Sequence, residues 1–212
     1  MAVSCVSESD QFVTYTEADD PMPVSERSMA AWKHVGKLEA TWASSDSLYS
    51  RSEVPYVSDM VTARLSGWKG ERVSAQFLLY TGEGAEGVTC TVNDFKSQDS
   101  EMSSEIAQAR FVRYTIADVG GPDCRCERGP LHAQQLVPDM IDSLKVFNME
   151  SRTVRPVWVT INIPQDAEPG VYTTEVVVEP IKEENIKQEV IEKIETVFEK
   201  SIDFSIVIVY NI

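Results

Sequence analysis

Residues 157–163 read VWVTINI, and every second side chain in this stretch is aliphatic. Residues 73–79 read VSAQFLL, with apolar side chains at 73, 75, 77 and 79. Because successive side chains of an extended chain point to opposite faces, a period of two residues predicts strands with one buried face. Shorter stretches repeat the pattern, at residues 38–42, 88–92, 111–116, 172–178 and 202–210. The sequence therefore predicts a fold built mainly from β-sheet.

Turn signals between these stretches favour antiparallel neighbours. Residues 82–84 read GEG and follow one predicted strand, and residues 168–170 read EPG and precede another. We expect residues 82–87 to form a hairpin loop. We also expect residues 157–163 and 172–178 to pair as a hairpin.

One stretch has the periodicity of a helix instead. In residues 181–200, Ile186, Val190, Ile194 and Val197 recur at helical spacing. Parallel α/β folds need such a helix between most strands, and this sequence supplies one convincing example. We therefore predict an all-β fold, an antiparallel β-sandwich with one appended amphipathic helix near the C-terminus.

The length of 212 residues fits one large domain, or a domain with an appendage. Residues 1–30 are acidic and rich in turn residues, so we expect a partly irregular lead-in there. Residues 31–212 are predicted to form the sandwich domain, including the helix-like insertion at 181–200. Residues 118–146 are predicted to be the longest irregular section, with a short helix near Leu136. Loops of this length in compact domains are commonly functional or disordered.

Composition excludes two classes of partner. The 19 Lys and Arg residues against 34 Asp and Glu residues leave a formal net charge of −15. A field of that sign repels phosphate backbones, so nucleic-acid binding is not expected. The longest apolar run is residues 206–210, far short of the roughly 18 residues that a membrane-spanning helix needs, so no membrane span is expected.

The amino end permits two interpretations. Residues 2–5 read AVSC and resemble the residues that lead into the lipidated cysteine of bacterial lipoproteins, with Ala2 where leucine is usual. On that interpretation the natural precursor is exported with lipid on Cys5, which predicts a periplasmic or outer-surface location in a Gram-negative-type bacterium. The other interpretation is a disordered amino terminus with a chance cysteine.

The sequence offers no motif for a metal, a cofactor or a nucleophile. Cys124 and Cys126 are separated by one residue, whereas zinc knuckles and redox pairs have two. The two histidines, His34 and His132, lie in no H-E-x-x-H arrangement, and G-x-S-x-G is absent. We expect His34 to be structural and Cys90 to be packed as a small apolar residue. No cofactor is expected.

Aromatic residues supply the remaining candidates for binding. Trp42 and Trp68 are expected to fill the core or the space between sheets, because large aromatic side chains contribute mainly buried area. Tyr49 and Tyr56 lie in a polar stretch, where an exposed ring can stack against the C–H face of a sugar. These two tyrosines are therefore the candidates for a glycan contact.

Several stretches, taken in order, resemble one known family. They read WKGERVSAQ at 68–76, FVRY at 111–114, LVPD at 136–139, PVWVTI at 156–161 and IPQDAEPGVY at 163–172. In this order they are similar to the amino-terminal β-sandwich domain of glycoside hydrolase family 123. The resemblance covers approximately residues 35–180 and the final strand.

This resemblance implies a non-catalytic accessory domain that packs against a catalytic (β/α) barrel of the same parent chain and braces it. Members of the family resemble exo-acting β-N-acetylgalactosaminidases, in which the barrel carries an adjacent Asp and Glu and the substrate's acetamido group assists. No such Asp-Glu dipeptide occurs in these 212 residues. The resemblance therefore transfers no catalytic residue, and the chain itself is not expected to be an enzyme.

The barrel of the parent chain is the expected partner, and the irregular section is the expected contact with it. Its candidate residues are Asp118, Asp123, His132 and Asp139. Two alternatives stay open: a free-standing carbohydrate-binding module, and a cell-surface protein-interaction domain. We expect the chain to be part of a longer protein rather than a free-standing module.

Overall fold

Two β-sheets dominate the structure, a computed structural model that describes residues 17–56, 62–119, 133–180 and 202–210. Within these residues, helix α1 spans Glu26–Ala31, and short 3-10 helices span Trp32–His34 and Ser104–Ile106. The strands are β1 Glu39–Ala43, β2 Thr62–Gly67, β3 Arg72–Thr81, β4 Ala85–Val92, β5 Phe95–Lys96, β6 Glu101–Met102, β7 Ala107–Val119, β8 Ala133–Ile141, β9 Val146–Met149, β10 Thr153–Asn162, β11 Val171–Glu179 and β12 Ile202–Tyr210.

The two sheets form a β-sandwich. The first sheet has the order β1–β3–β10–β7–β8 and is antiparallel throughout. The second has the order β2–β12–β11–β4–β9, with β5 beside β11 and β6 beside β5. Its neighbouring strands are antiparallel, except that β2 and β12 run parallel. The predicted all-β, antiparallel sandwich is therefore confirmed, with one parallel pair within it.

Inward-facing side chains of both sheets form the core. The alternating positions 73 to 79 of β3 and 157 to 163 around β10 are all at most 8% exposed. They share one buried cluster with Val88, Tyr172 and Val176 of the second sheet. Trp42 packs edge-on against Phe77, with ring centroids 5.3 Å apart. Alternation and burial agree, so these strand predictions are confirmed.

A smaller buried cluster covers another part of the first sheet. Leu78 and Val154 are fully buried together with Trp32, which follows α1. The Trp32 indole N–H donates a hydrogen bond to Ser52 O at 2.9 Å. Because Leu78 alternates with the core positions of β3, this cluster lies on the face of the sheet that points away from the second sheet. The chain segment around Trp32 therefore shields that face from water.

Two predicted hairpins are wrong, for one physical reason. β10 belongs to the first sheet and β11 to the second, so residues 157–163 and 172–178 do not pair. Residues 82–84 likewise connect β3 in the first sheet to β4 in the second, and Gly87 lies inside β4, near a register shift with β9. In a sandwich the next strand in sequence can lie across the core, and alternation does not reveal which sheet a strand joins.

The irregular section predicted over residues 118–146 is wrong for most of the residues described there. β7 continues to Val119 and β8 occupies Ala133–Ile141, so Leu136 lies in a strand and not in a helix. Pro138 argues against a strand, because proline has no N–H for the sheet. β8 is at the edge of its sheet, however, where a missing N–H is tolerated. The predicted helix at 181–200 lies outside the described residues, and the boundary at residue 30 stays a prediction.

Candidate functional site

A two-stranded ribbon, formed by residues 112–119 of β7 with β8, extends from the first sheet. The pairing of β7 with β10 ends at Phe111, opposite Val157. The residue of β10 that would pair next, opposite Val112, is Pro156, which has no N–H to donate. From Val112 onward, the described partner of β7 is β8. The ribbon therefore begins where a proline interrupts the hydrogen-bonding capacity of β10.

Large apolar side chains are exposed on the ribbon. Ile116, Met140 and Ile141 are 48%, 52% and 46% exposed. Ile116 and Ile141 lie on the face of the ribbon that also carries Val112 and Tyr114, whereas Met140 lies on the opposite face. Each face of the ribbon therefore exposes apolar surface of the kind that a partner protein covers. The register between the two strands shifts next to Tyr114, and the exposed Asp139 is the residue without a Cα partner at that shift. Such bulges re-aim side chains at sheet edges.

A buried carboxylate fixes one side of the ribbon's root. The Asp142 side chain is 4% exposed and forms an ion pair with Arg113 Nε. Asp142 N donates to Phe111 O at 2.8 Å, and Asp142 Oδ1 accepts from Leu144 N at 3.1 Å. Burial alone would raise the pKa of the Asp142 carboxyl, but the hydrogen bonds from Arg113 and Leu144 outweigh burial and lower that pKa below its ordinary value.

A buried arginine fixes the other side of the root. Arg155 is 3% exposed, and its Nη1 and Nη2 donate to the two carboxylate oxygens of Glu17, each at 2.6 Å. Nη1 also donates to the carbonyl oxygen of Val112 at 2.8 Å, the first ribbon residue. The guanidinium lies 4.2 Å from the centre of the Phe147 ring. The bidentate carboxylate and the aromatic face compensate the cost of burying this charge.

Glu17 joins this root to the amino-terminal part of the chain. Its side chain is 3% exposed, and its Oε2 also lies 3.3 Å from Arg51 Nε. Glu17 Oε1 accepts from Tyr114 N at 3.0 Å, and the Tyr114 hydroxyl donates to Tyr49 O at 3.0 Å. Burial raises the pKa of that Tyr114 hydroxyl. We call Glu17, Arg51, Tyr114 and Arg155 the root cluster.

The two tyrosines that the sequence nominates for a glycan contact have different surroundings. Tyr49 is half-buried beside Trp32, and its hydroxyl accepts from Ser44 N at 3.1 Å. Tyr56 is 92% exposed, with the Arg27 guanidinium 5.0 Å from its ring centre. A sugar that stacked on that face of Tyr56 would have to displace Arg27. The glycan contact stays a prediction.

Two of the four residues nominated for the inter-domain contact lie in strands. Asp118 belongs to β7, and Asp139 lies in β8 at the register shift. Asp123 and His132 lie outside the described residues, as does Cys5. The inter-domain contact stays a prediction, and its described part is a ribbon and not a loop. Lipid on Cys5 and an exported location stay predictions too.

One aromatic prediction is wrong. Trp42 is 1% exposed, as expected, whereas Trp68 is 60% exposed. Trp68 follows Gly67, the last residue of β2, and so lies in the turn after the strand and not at an inward position of it. The sequence contained the signal, because Lys69 and Gly70 come directly after it and glycine at this spacing is typical of a tight turn.

Other chemistry-bearing groups do not converge in the described part of the chain. No group of three or more His, Cys, Asp or Glu side chains there could hold a metal ion. Cys90 packs against the core as a free thiol, and burial raises its pKa to about 12, so it stays protonated near neutral pH. His34 is exposed. Among the described helices, none has the length and apolar character needed to cross a membrane.

A protein-family model described as the glycoside hydrolase 123 N-terminal domain matches residues 42–180. Among solved structures, a family 123 glycoside hydrolase from Clostridium perfringens, analysed for glycolipid glycan hydrolysis, is similar at a TM-score of 0.64 and 20% sequence identity. The match covers 81% of this chain and 27% of that one, so the chain spans about a quarter of the larger protein. At this identity the likeness shows the shared fold.

A second solved structure, PapD-like domain 7 of human CEP192, matches at a TM-score of 0.36 and 12% identity. That match covers 94% of this chain and 97% of the human domain. A TM-score this low supports no functional argument. No curated protein sequence matches this chain.

Proposed function

The chain belongs to the glycoside hydrolase 123 N-terminal domain family, and we propose that it is a non-catalytic accessory domain that packs against the catalytic domain of its parent chain and braces it. The ribbon is the observation that carries this proposal. Ile116, Met140 and Ile141 expose apolar surface on an element whose root is held by buried ion pairs. A preorganised apolar surface loses little conformational entropy when a partner covers it.

Two buried, ion-paired carboxylates support a structural role. Both oxygens of Glu17 are engaged by Arg155, and Asp142 is engaged by Arg113. Their side chains are 3% and 4% exposed, so neither can reach a substrate without breaking the root of the ribbon. The resemblance to family 123 assigns the catalytic Asp-Glu pair to the barrel, and this sequence contains no such dipeptide.

A first experiment tests the non-catalytic part of the proposal. The purified 212-residue chain is incubated with a chromogenic β-N-acetylgalactosaminide, and we expect no hydrolysis above the buffer rate. Asp166→Asn, in which an exposed carboxylate is replaced, is purified in the same way and measures the hydrolysis that contaminating enzymes cause. Turnover that survives further purification and is lost when a carboxylate of this chain is replaced would contradict the proposal.

A second experiment tests the contact through the ribbon in the parent protein. Replacing Ile116 and Met140 by serine removes exposed apolar surface without entering the core. We expect the sandwich to unfold at a lower temperature than in the unmodified parent, because it loses stabilisation by the catalytic domain. Leu48→Ser is the control, since Leu48 is 72% exposed and lies outside the ribbon. If the ribbon variant and the control unfold at the same temperature, the ribbon is not part of the interface.

A carbohydrate-binding module is the second candidate function, and the exposure of Tyr56 favours it. Titration of the 212-residue chain with N-acetylgalactosamine, followed by NMR, separates the two candidates. A bracing domain shows no saturable shift at millimolar sugar. Saturable shifts that disappear in Tyr56→Ala would instead support the binding module.

A further inference from the structure

Two further exposed apolar side chains lie at one end of the second sheet. Trp68, on the turn between β2 and β3, is 60% exposed, and Val171 at the start of β11 is 53% exposed. The turn is at the far end of the sandwich from the ribbon. Arg72, directly after the turn, is opposite Asn162 at the end of β10, whereas the ribbon separates from β10 at Val157, halfway along the strand, and runs toward the opposite end.

Hydrogen bonds hold the backbone of this turn in place. Trp68 N donates to Glu71 Oε2 at 2.7 Å, and Glu71 N donates to Trp68 O at 3.0 Å. The turn is also tied to the residue after β10, because Gly70 N donates to Ile163 O at 3.0 Å and Ile163 N donates to Glu71 O at 2.8 Å. The exposed Trp68 ring is therefore carried by a fixed backbone.

The last described strand ends beside the same turn. β12 runs parallel to β2, with Tyr210 opposite Gly67. On its other side, β12 pairs with β11, with Val209 opposite Val171. β12 therefore ends between Gly67 and Val171, next to the turn that carries Trp68.

We propose that Trp68 and Val171 form a junction surface, against which the catalytic domain that follows β12 in the parent chain packs. This inference rests on the proposed function. The family is described as an N-terminal domain, which favours a catalytic part on the carboxyl side of the matched residues 42–180, and β12 completes the second sheet of the sandwich after those residues. Tryptophan is enriched among the residues that dominate interface energy. A second copy of the chain is a poorer occupant, because each copy carries a net charge of −15.

The junction surface and the ribbon can serve the same partner. The chain spans 27% of the family 123 glycoside hydrolase that shares its fold, so the remaining part of that protein is larger than the sandwich. A partner of that size can cover one end of the sandwich and extend along it. The two surfaces are nevertheless separate contacts, and each can be removed without the other.

Hydroxyl-radical footprinting with mass spectrometry tests the junction surface directly. The method compares the oxidation of individual side chains in the 212-residue chain and in the parent protein. We expect Trp68 to be oxidised readily in the 212-residue chain and to lose most of that reactivity in the parent. Tyr56, which is 92% exposed, is the internal reference. Equal oxidation of Trp68 in the two proteins overturns the junction.

Trp68→Ala provides an independent test of the same surface. We expect this variant to lower the unfolding temperature of the sandwich in the parent protein and to leave that of the 212-residue chain unchanged, because the ring is exposed there. Leu48→Ala is the matched control for replacing an exposed apolar side chain. An equal shift in the two proteins would show that Trp68 stabilises its own domain, and would overturn the junction.

Two comparisons separate the failure of this inference from that of the proposed function. If the Ile116 and Met140 double variant destabilises the sandwich in the parent while Trp68→Ala does not, the junction is wrong and the bracing function stands. If neither variant destabilises the sandwich in the parent, the junction and the bracing function are both wrong. If N-acetylgalactosamine protects Trp68 from oxidation in the 212-residue chain, the turn is a sugar contact and the junction is wrong.

Discussion

Among the charged residues of the root cluster, Glu17 is expected to contribute strongly to stability. It neutralises Arg155, and both side chains are nearly inaccessible to water. Glu17→Gln keeps the shape of the side chain and removes its charge, which leaves a buried guanidinium without its ionic partner. We expect the free energy of unfolding of the 212-residue chain to fall by about 3–5 kcal/mol, as measured by chemical denaturation.

Glu150→Gln is the matched control for this substitution. Glu150 also pairs with an arginine, Arg51, at 2.6 Å, but its side chain is 72% exposed. An ion pair with one partner in water contributes about 0–1 kcal/mol, so the control is expected to change stability little. Equal losses for Glu17→Gln and Glu150→Gln would show that burial of the root cluster is not what makes the pair important.

Asp142 makes the stability of the domain depend on pH in acid. Its pKa is lowered in the folded state, so the folded state binds fewer protons than the unfolded state in the window between the two pKa values. The contribution of Asp142 is fully present above the ordinary Asp pKa of about 3.9 and is lost as the pH falls through the lowered value. We expect Asp142→Asn to give a flatter curve of unfolding free energy against pH below this point.

The control for the acid measurement is Asp166→Asn, at an exposed position in the connection between β10 and β11. We expect this variant to keep the acid dependence of the unmodified chain. If Asp142→Asn retains the full acid dependence as well, other carboxylates are responsible for it, and the ion pair with Arg113 does not hold the root of the ribbon in the way described.

Among the strands and turns, the alternation of side chains predicted β1, β3, β4, β7, β10, β11 and β12, and the structure confirms these strands, whereas β8 was predicted to be irregular. Positions such as Val157 and Phe77 are buried because their strands each have one face on the core. The assignment of strands to sheets could not be obtained this way, since β10 and β11 have similar patterns and lie in different sheets. Sheet membership depends on contacts between residues far apart in sequence, and alternation is a local signal.

The candidate site was less predictable than the strands. Arg155 lies two residues before Val157 and so shares the inward face of β10, and a charge at such a position predicts a buried partner. The identity of the partner could not be predicted, because Glu17 lies 138 residues away in sequence. The exposure of Ile116 also depends on where the pairing with β10 ends. Pro156 indicates where the pairing between β7 and β10 ends, because a proline inside a strand removes a hydrogen-bond donor.

The turn that carries Trp68 depends on a glycine. Gly70 has φ of +75°, and a Cβ there would lie 1.9 Å from Gln165 Nε2. Gln165 can move, but the left-handed backbone conformation costs an L-residue roughly 1–2 kcal/mol. We therefore expect Gly70→Ala to lower the free energy of unfolding by about that amount. Gly36→Ala is the control, because a Cβ at Gly36 makes only an ordinary contact, at 3.6 Å. Equal losses of stability in the two variants would show that the left-handed conformation of Gly70 is not what makes this glycine important.

For the whole domain, the amino-terminal residues do more than lead into the sandwich. Glu17 completes the root cluster, and Trp32 covers Leu78 and Val154 on the outer side of the first sheet. The segment therefore contributes both charge and apolar area to the rest of the domain. Residues 17–34 and the ribbon are linked through Glu17. We therefore expect substitutions that destabilise residues 17–34 to destabilise the ribbon as well, which is the surface proposed to brace the catalytic domain.

Comparison of two tryptophans tests this view of the domain. Trp32 is 4% exposed and bonded to Ser52 O, whereas Trp68 is 60% exposed. Trp32→Ala opens a cavity above Leu78, and we expect the unfolding free energy of the 212-residue chain to fall by about 3–5 kcal/mol. Trp68→Ala is expected to change it by less than about 0.5 kcal/mol, as for surface substitutions generally. If Trp32→Ala costs no more than Trp68→Ala, the segment around Trp32 does not stabilise the first sheet, and its link to the ribbon has no consequence for the domain.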